Sequence, residues 1–150
     1  MLLGIIYGVG LWVGLPYFFI RLNDYFQLPV IKHLPLQMIG AVLIGLGFSF
    51  VLYSAGVFKF IGKGTPVPIE PPEKLVVKGL YKYTRNPMYV SHLLIFLGYF
   101  FVFGQILLIV SLVLVGLSLN LLILKWEEPQ LKKRFGKSYL NYMKEVPRWF

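Results

Sequence analysis

Charged residues cut this 150-residue chain into four long apolar tracts. Nothing charged precedes Arg21, and Met1 to about Ile20 forms the first tract. The second runs from about Leu36 to Ile61, uncharged as far as Lys59. Met88–Phe103 and Ile106 to about Leu124 follow, parted only by Gly104-Gln105. A helix needs roughly 20 apolar residues to cross a bilayer, so four spans are predicted, the last two as a tight antiparallel hairpin. The third is short, about 24 Å at 1.5 Å per residue. Gly4/Gly8 and Gly10/Gly14 place small residues four apart, a spacing that lets helices approach closely in lipid. Beyond Pro129 the pattern changes. Leu131, Phe135, Tyr139 and Tyr142 recur near helical spacing while Lys132, Lys133, Arg134 and Lys137 occupy other sectors, which predicts an amphipathic helix suited to an anionic leaflet or to folding back over the hairpin. The expected fold class is an all-α membrane protein. It has about four transmembrane helices, a C-terminal helical hairpin and an amphipathic cytoplasmic tail helix. Two N-terminal transmembrane helices occupy residues 1–62, and a core with the hairpin and tail occupies 63–150.

Composition agrees with that picture. The chain is 57% hydrophobic and only 14% charged, with a mean hydropathy of +0.71, whereas about a quarter of an ordinary globular chain is charged. The opening residues carry no basic cluster, which argues against a cleaved signal peptide. A net charge of +9 raises the question of nucleic acid, but the distribution of the charges answers it differently. Arg21 and Lys32 lie between the first two spans, while the other thirteen Lys and Arg residues lie between spans two and three or in the tail. The hairpin puts those thirteen on one face, and the excess of basic residues marks the cytoplasmic side. The N-terminus and C-terminus are therefore expected to be cytoplasmic in a multi-pass integral membrane protein, with membrane lipids and not nucleic acid as its surroundings. There is no cysteine, which removes thiolate chemistry and disulfides. His33 and His92 are far apart in sequence, so no metal site is predicted.

The second cytoplasmic stretch begins GKGTPVPIEPPEK, whose prolines predict an extended chain. It ends GLYKYTRNPMY, immediately before the third span. Asn86 suits a helix cap and Pro87 the first helical position, so Asn-Pro here needs no function. The same helix start nevertheless presents unpaired N–H groups that favour an anion, and Tyr81 and Tyr89 add aromatic faces for a purine or a cation. The hairpin brings the chain back to the same side at KWEEPQL, where Glu127 and Glu128 are two of only six acidic residues. A helix C-terminus disfavours carboxylates, although a new helix starting at Pro129 would accommodate Glu128. Donors and aromatics on one side and two carboxylates on the other suit a ligand combining carboxylate, ammonium, purine and ribose hydroxyls.

The run EKLVVKGLYKYTRNPMYVSHLLIFLGYF, then a hairpin and EEPQLKKRFGKSYLNYMKEVPRW, resembles the integral-membrane methyltransferases. These include the isoprenylcysteine carboxyl methyltransferases and phospholipid N-methyltransferases. The resemblance covers roughly residues 64 to 150. It rests on ordered pieces: Gly-x-Tyr, Arg-[His/Asn]-Pro-x-Tyr, a span pair, Glu-Glu-x-x-Leu, Phe-Gly-x-x-Tyr-x-x-Tyr and Val-Pro-Arg. It implies a pocket for S-adenosylmethionine lined by Glu73, Lys74, Leu75 and Val76, with Tyr81, Asn86, Pro87, Met88 and Tyr89 holding the cofactor. Glu127 and Glu128 would bind its ammonium or ribose groups in an unassigned order, and Phe135 to Trp149 would cap the pocket. Asn86 stands where the isoprenylcysteine enzymes have His, and Lys125 is the only basic residue near the glutamates where those enzymes tend to place an Arg. Lys cannot grip a carboxylate bidentately, which weighs against a prenylated-cysteine carboxylate as acceptor.

The expected chemistry is in-line methyl transfer to a lipidic or apolar small-molecule acceptor arriving laterally, with donor and acceptor aligned within roughly 3–3.5 Å. No catalytic base is assigned. Arg85 is expected to be a structural or cofactor-side cation. His92, two turns into a span, is either a functional group or bonded to a neighbouring helix. Two alternatives remain: a membrane sterol or enone reductase, and a non-catalytic scaffold binding a partner or anionic lipid.

Overall fold

A computed structural model describes residues 8–62 and 73–149, and within them all regular structure is helical. The proline-rich stretch and the first seven residues, Gly4 included, lie outside the described residues. Among the described residues the α-helices used below are α1 (Leu15–Tyr25), α2 (Leu34–Val57), α3 (Pro87–Phe103), α4 (Leu107–Leu122) and α5 (Glu128–Glu145). Wide π-turns precede α1 (Gly10–Gly14), follow α2 (Phe58–Gly62) and join α4 to α5 (Ile123–Glu127). Among the described residues two helical runs are long and apolar enough to cross a membrane. Leu34–Gly62 holds a stretch of mean hydropathy 2.0, and Leu107–Glu145 one of 2.8. Pro87–Phe103 is a shorter apolar helix, as its sequence predicts.

Two of the π-turns have a common cause. A proline inside an α-helix collides with the carbonyl four residues earlier and cannot donate to it. Pro16 and Pro129 each follow directly on a wide turn, in which Leu15 donates to the Gly10 carbonyl and Glu128 to that of Ile123. The extra residue in such a turn makes room for the ring. The tail helix α5 begins at Glu128 with Pro129 in its first turn, close to the start its sequence predicts. It follows the π-turn without a break because Glu127 and Glu128 both keep helical backbone angles.

The chain packs as two units, residues 1–48 with 92–116 and residues 49–91 with 117–150. In the first, α2 and α3 meet at two glycines. A Cβ added at Gly40 would lie 2.7 Å from the Gly98 carbonyl oxygen, and one at Gly98 2.8 Å from that of Gly40. Lipid tails are as apolar as leucine, so helices associate through such close packing and through hydrogen bonds. Tyr99 donates to the Trp12 carbonyl at 2.9 Å, the oxygen that Pro16 leaves without its helical donor. Ile95, Phe96 and Leu108 are fully buried.

The hairpin turn in this unit is held by a polar cluster. Gly104 has φ +71°, and a side chain there would run into the backbone of Ile31. Ile31 N–H donates to the Gly104 carbonyl at 2.8 Å. Asn23 is fully buried; its amide donates to the Leu28 carbonyl at 3.1 Å and accepts from the Leu107 N–H at 3.2 Å, capping α4 from another helix. Gln105 donates to Asp24 at 3.0 Å. Asn23→Ala orphans a donor and an acceptor at once. It is expected to cost about 2 kcal/mol, read as a lower unfolding midpoint in detergent.

Candidate functional site

In the second unit the glycine before Tyr81 sets the first wall. Gly79 (φ +62°) opens a 3₁₀ turn, Gly79–Lys82, and stands where a Cβ would collide with the Tyr53 side chain. The turn sends Tyr81 inward. It is buried, packs with Val57 and Val76, and meets the Phe58 ring edge-on at 5.6 Å. Burial, helped by the neighbouring Tyr142, pushes the Tyr81 phenol well above its ordinary pKa, so Tyr81 stays neutral. The Tyr142 hydroxyl donates to the Tyr81 carbonyl at 2.6 Å.

Next comes the turn into α3. Pro87, buried, supplies the fixed φ that suits a first helical position, and its carbonyl accepts from Ser91 at 2.7 Å. The Asn86 side chain reaches away from the helix and donates to the Arg148 carbonyl at 3.0 Å. Thr84 donates to the same oxygen at 3.0 Å, and the Arg85 N–H donates to the Pro147 carbonyl at 3.0 Å. The last residues of the chain are thus tied to this turn by three hydrogen bonds.

The opposite wall comes from the Ile123–Glu127 π-turn and α5. Gly136 (φ 49°, ψ −125°) breaks the helical geometry within α5. Beyond it Tyr139, Tyr142 and Val146 form a buried cluster against Leu75, Leu131 and Phe135.

A partly open cavity of about 80 Å³ lies among these elements. The sequence-predicted residues Leu75, Val76, Tyr81, Asn86, Met88, Tyr89, Glu127 and Glu128 line it. Glu73 and Lys74 do not; both are exposed and donate their N–H groups to the Gly62 carbonyl. Pro87 shapes the turn without lining the space. Arg85 and, within the expected tail cap, Tyr139 and Tyr142 also line it. Phe58 and Ile123 contribute apolar wall that sequence reasoning missed, since apolar residues in apolar runs carry no distinguishing signal, and Leu131 from the amphipathic face of the tail completes it. His92 belongs to the other unit, buried, with its ring 5.5 Å from that of Trp12.

The two glutamates differ sharply. Glu128 is 4% exposed. One of its oxygens accepts from Arg85 Nη1 at 2.9 Å and Arg148 Nε at 2.8 Å, and the other from Arg148 Nη2 at 3.1 Å. Burial alone would push the Glu128 carboxyl up. The Arg148 hydrogen bonds and the charges of Arg85, Arg148 and Lys132 outweigh it and hold the group below the usual carboxylate range. Glu127 accepts a hydrogen bond from the Tyr89 hydroxyl. Burial pushes its carboxyl up, and the Tyr89 bond only partly opposes that. One acid is therefore locked as an anion, while the other sits in the cavity wall with neither arginine hydrogen-bonded to it. Among the described residues no cluster of His, Asp or Glu has the makings of a metal site.

No curated protein and no solved structure matches the chain. The sequence model of a family described as phospholipid methyltransferase matches residues 36–138. That span is more than half of the chain, and it takes in the Arg85–Tyr89 turn, both arms of the hairpin and both glutamates. The chain belongs to the phospholipid methyltransferase family.

Proposed function

We propose that this protein transfers a methyl group from S-adenosylmethionine to a lipidic or apolar small-molecule acceptor at the cytoplasmic face of a membrane. The observation that carries the reading is the meeting of Glu127, Tyr89, Asn86 and Met88 in one cavity, built from segments within the matched family span. The lining chemistry fits the cofactor: a carboxylate for an ammonium or a ribose hydroxyl, Tyr81 and Tyr89 rings, and apolar walls from Leu75, Val76 and Ile123. At about 80 Å³ the space is smaller than the 300–1,000 Å³ common for drug-sized ligands, so binding requires the lining side chains to part. When bound, the cofactor supplies an electrophilic methyl carbon on a sulfonium. The protein's share is alignment and exclusion of water. Tyr89 orients the Glu127 carboxylate, Asn86 fixes the turn that presents Met88 and Tyr89, and the apolar walls keep bulk water out.

In this reading the chain crosses the membrane four times, with both termini and the basic loop and tail cytoplasmic. Residues 63–150 form the cofactor-binding core. The family's lipid substrates support a lipid acceptor reaching the site laterally while the soluble cofactor arrives from the cytoplasm.

Equilibrium binding of S-adenosylmethionine to the purified, detergent-solubilised protein tests the proposal. Micromolar affinity is expected, weakened at least about tenfold by Tyr89→Ala, which removes one group of the wall and its hydrogen bond. Binding of NADPH, with no binding of S-adenosylmethionine, would favour the reductase alternative; binding of neither would favour the scaffold. The raised Glu127 carboxyl adds a pH signature. If the ligand meets the carboxylate, affinity falls as pH drops through that raised value, earlier than an exposed glutamate would allow. Glu127→Gln is expected to abolish that dependence.

A further inference from the structure

We infer that the adjacent glutamates do different jobs. Glu127 is the carboxylate that meets the ligand, and Glu128 is a positioning residue, the hub of a latch that fastens the chain's C-terminal segment to the turn entering α3. The ligand half of this inference rests on the proposed methyltransferase reading, whereas the latch half stands on geometry alone.

A ligand cation or hydroxyl needs an acceptor that is reachable. Glu128 offers little: it is 4% exposed, and both its oxygens accept from guanidinium groups at 2.8–3.1 Å. Taking it as a ligand would mean dislodging Arg148 or Arg85, whose side chain is itself 8% exposed. Glu127 lines the same cavity, and the one hydrogen bond identified to it is that from Tyr89.

The arginines that occupy Glu128 also define what it does. Arg85 and Arg148 belong to the two segments joined by the hydrogen bonds to the Pro147 and Arg148 carbonyls. Glu128 therefore closes a ring that runs from α5 through Arg148 to its carbonyl, across to Thr84 and Asn86, and back through Arg85. Bidentate pairing makes the Arg148 arm directional as well as attractive. Asn86, Met88 and Tyr89 follow directly on this ring and line the cavity. Loosening the ring frees the turn from which they project, without removing any group that touches the ligand.

The Arg85 amide, bonded to the Pro147 carbonyl, reports the latch directly through hydrogen exchange in the full-length protein. The Ile31 amide, bonded to Gly104 in the other unit, serves as control. In Glu128→Gln and Arg148→Ala, Arg85 exchange is expected to accelerate at least tenfold with Ile31 unchanged, and S-adenosylmethionine affinity to fall about three- to tenfold. Arg148→Lys should recover part of both. Glu127→Gln should lower affinity at least tenfold while leaving Arg85 exchange as in the wild type. Loss of affinity in Glu128→Gln with Arg85 exchange unaltered would make Glu128 a direct ligand and overturn the latch, as would unaltered exchange in Arg148→Ala. Wild-type affinity in Glu127→Gln would overturn its ligand role. A wild type that binds no S-adenosylmethionine would sink the methyltransferase reading and the Glu127 assignment with it, with Arg85 exchange still deciding the latch. Should Glu128→Gln fail to fold, the Arg148 pair of variants decides.

Discussion

Glu128→Ala is expected to lower the unfolding free energy of the detergent-solubilised protein by about 3–5 kcal/mol, the usual cost of leaving a buried charge without its partner. Arg85 dominates, because its side chain is only 8% exposed and water replaces the lost carboxylate poorly there. Arg148, at 29%, contributes less, since partial solvation screens the loss. The pH dependence has a definite sign. The Glu128 carboxyl is depressed in the folded state, so its stabilisation is complete above the ordinary carboxylate range and is lost as pH falls through the depressed value. Glu127, raised by burial, has the opposite sign: its contribution is present at low pH and is lost as pH rises through the raised value. Melting temperatures of the wild type, Glu128→Ala and Glu127→Gln across pH 3–8 separate the two. The first variant should be the less stable at neutral pH and lose its deficit on acidification, while the second should be no less stable than wild type at neutral pH. Equal losses in both variants at neutral pH would contradict this assignment.

Gly98→Leu is expected to be at least as damaging. Overpacking a core with extra methylenes costs typically 1–3 kcal/mol when side chains can move aside. Here the first obstruction includes backbone, the Gly40 carbonyl at 2.8 Å from an added Cβ, together with the Ile44 side chain at 2.7 Å. A leucine can be accommodated only by separating α2 from α3, which forfeits the packing that holds helices together in lipid. A loss of about 3 kcal/mol or more is expected, with much of the protein failing to purify as a monodisperse species. Gly40→Leu should behave alike, and Gly98→Ala should be milder but still harmful. Gly56, which has open space around it, provides the control: Gly56→Ala should be tolerated. Monodisperse yield and unfolding midpoint measure the series, and a Gly98→Leu protein as stable as wild type would mean that the helices do not approach as described.

Much of the helical layout is legible in the sequence because long apolar runs leave few choices. The breaks at Gly104-Gln105 and before Pro87 are visible as turn chemistry. Among the described residues the two helical runs that meet a membrane's length each contain one of the apolar tracts. The amphipathic tail is also visible, since Leu131, Phe135, Tyr139 and Tyr142 do face inward. What could not be read is which neighbour each polar residue takes. Glu127 and Glu128 are adjacent letters that project in different directions from a helix, and only the position of the turn around them decides which meets Arg85. Arg148 stands 20 residues from Glu128, and nothing in its Val-Pro-Arg context announces a partner. Gly40 and Gly98 are likewise unremarkable in runs where glycine is common. Their meeting is a property of tertiary packing, whereas the glycine spacings that do stand out lie in the first tract.

The wide turn over Ile123–Glu127 has a consequence beyond making room for Pro129. Because it holds one residue more than an ordinary turn, the angular register of the tail is offset from that of α4. A helical wheel carried unbroken from Leu107 into the arm would assign inside and outside wrongly for every position after the acids. Any reporter helix, fusion or designed replacement spliced across this seam has to preserve that phase step. Otherwise it would swing both carboxylates, and the arm behind them, round to a different neighbour.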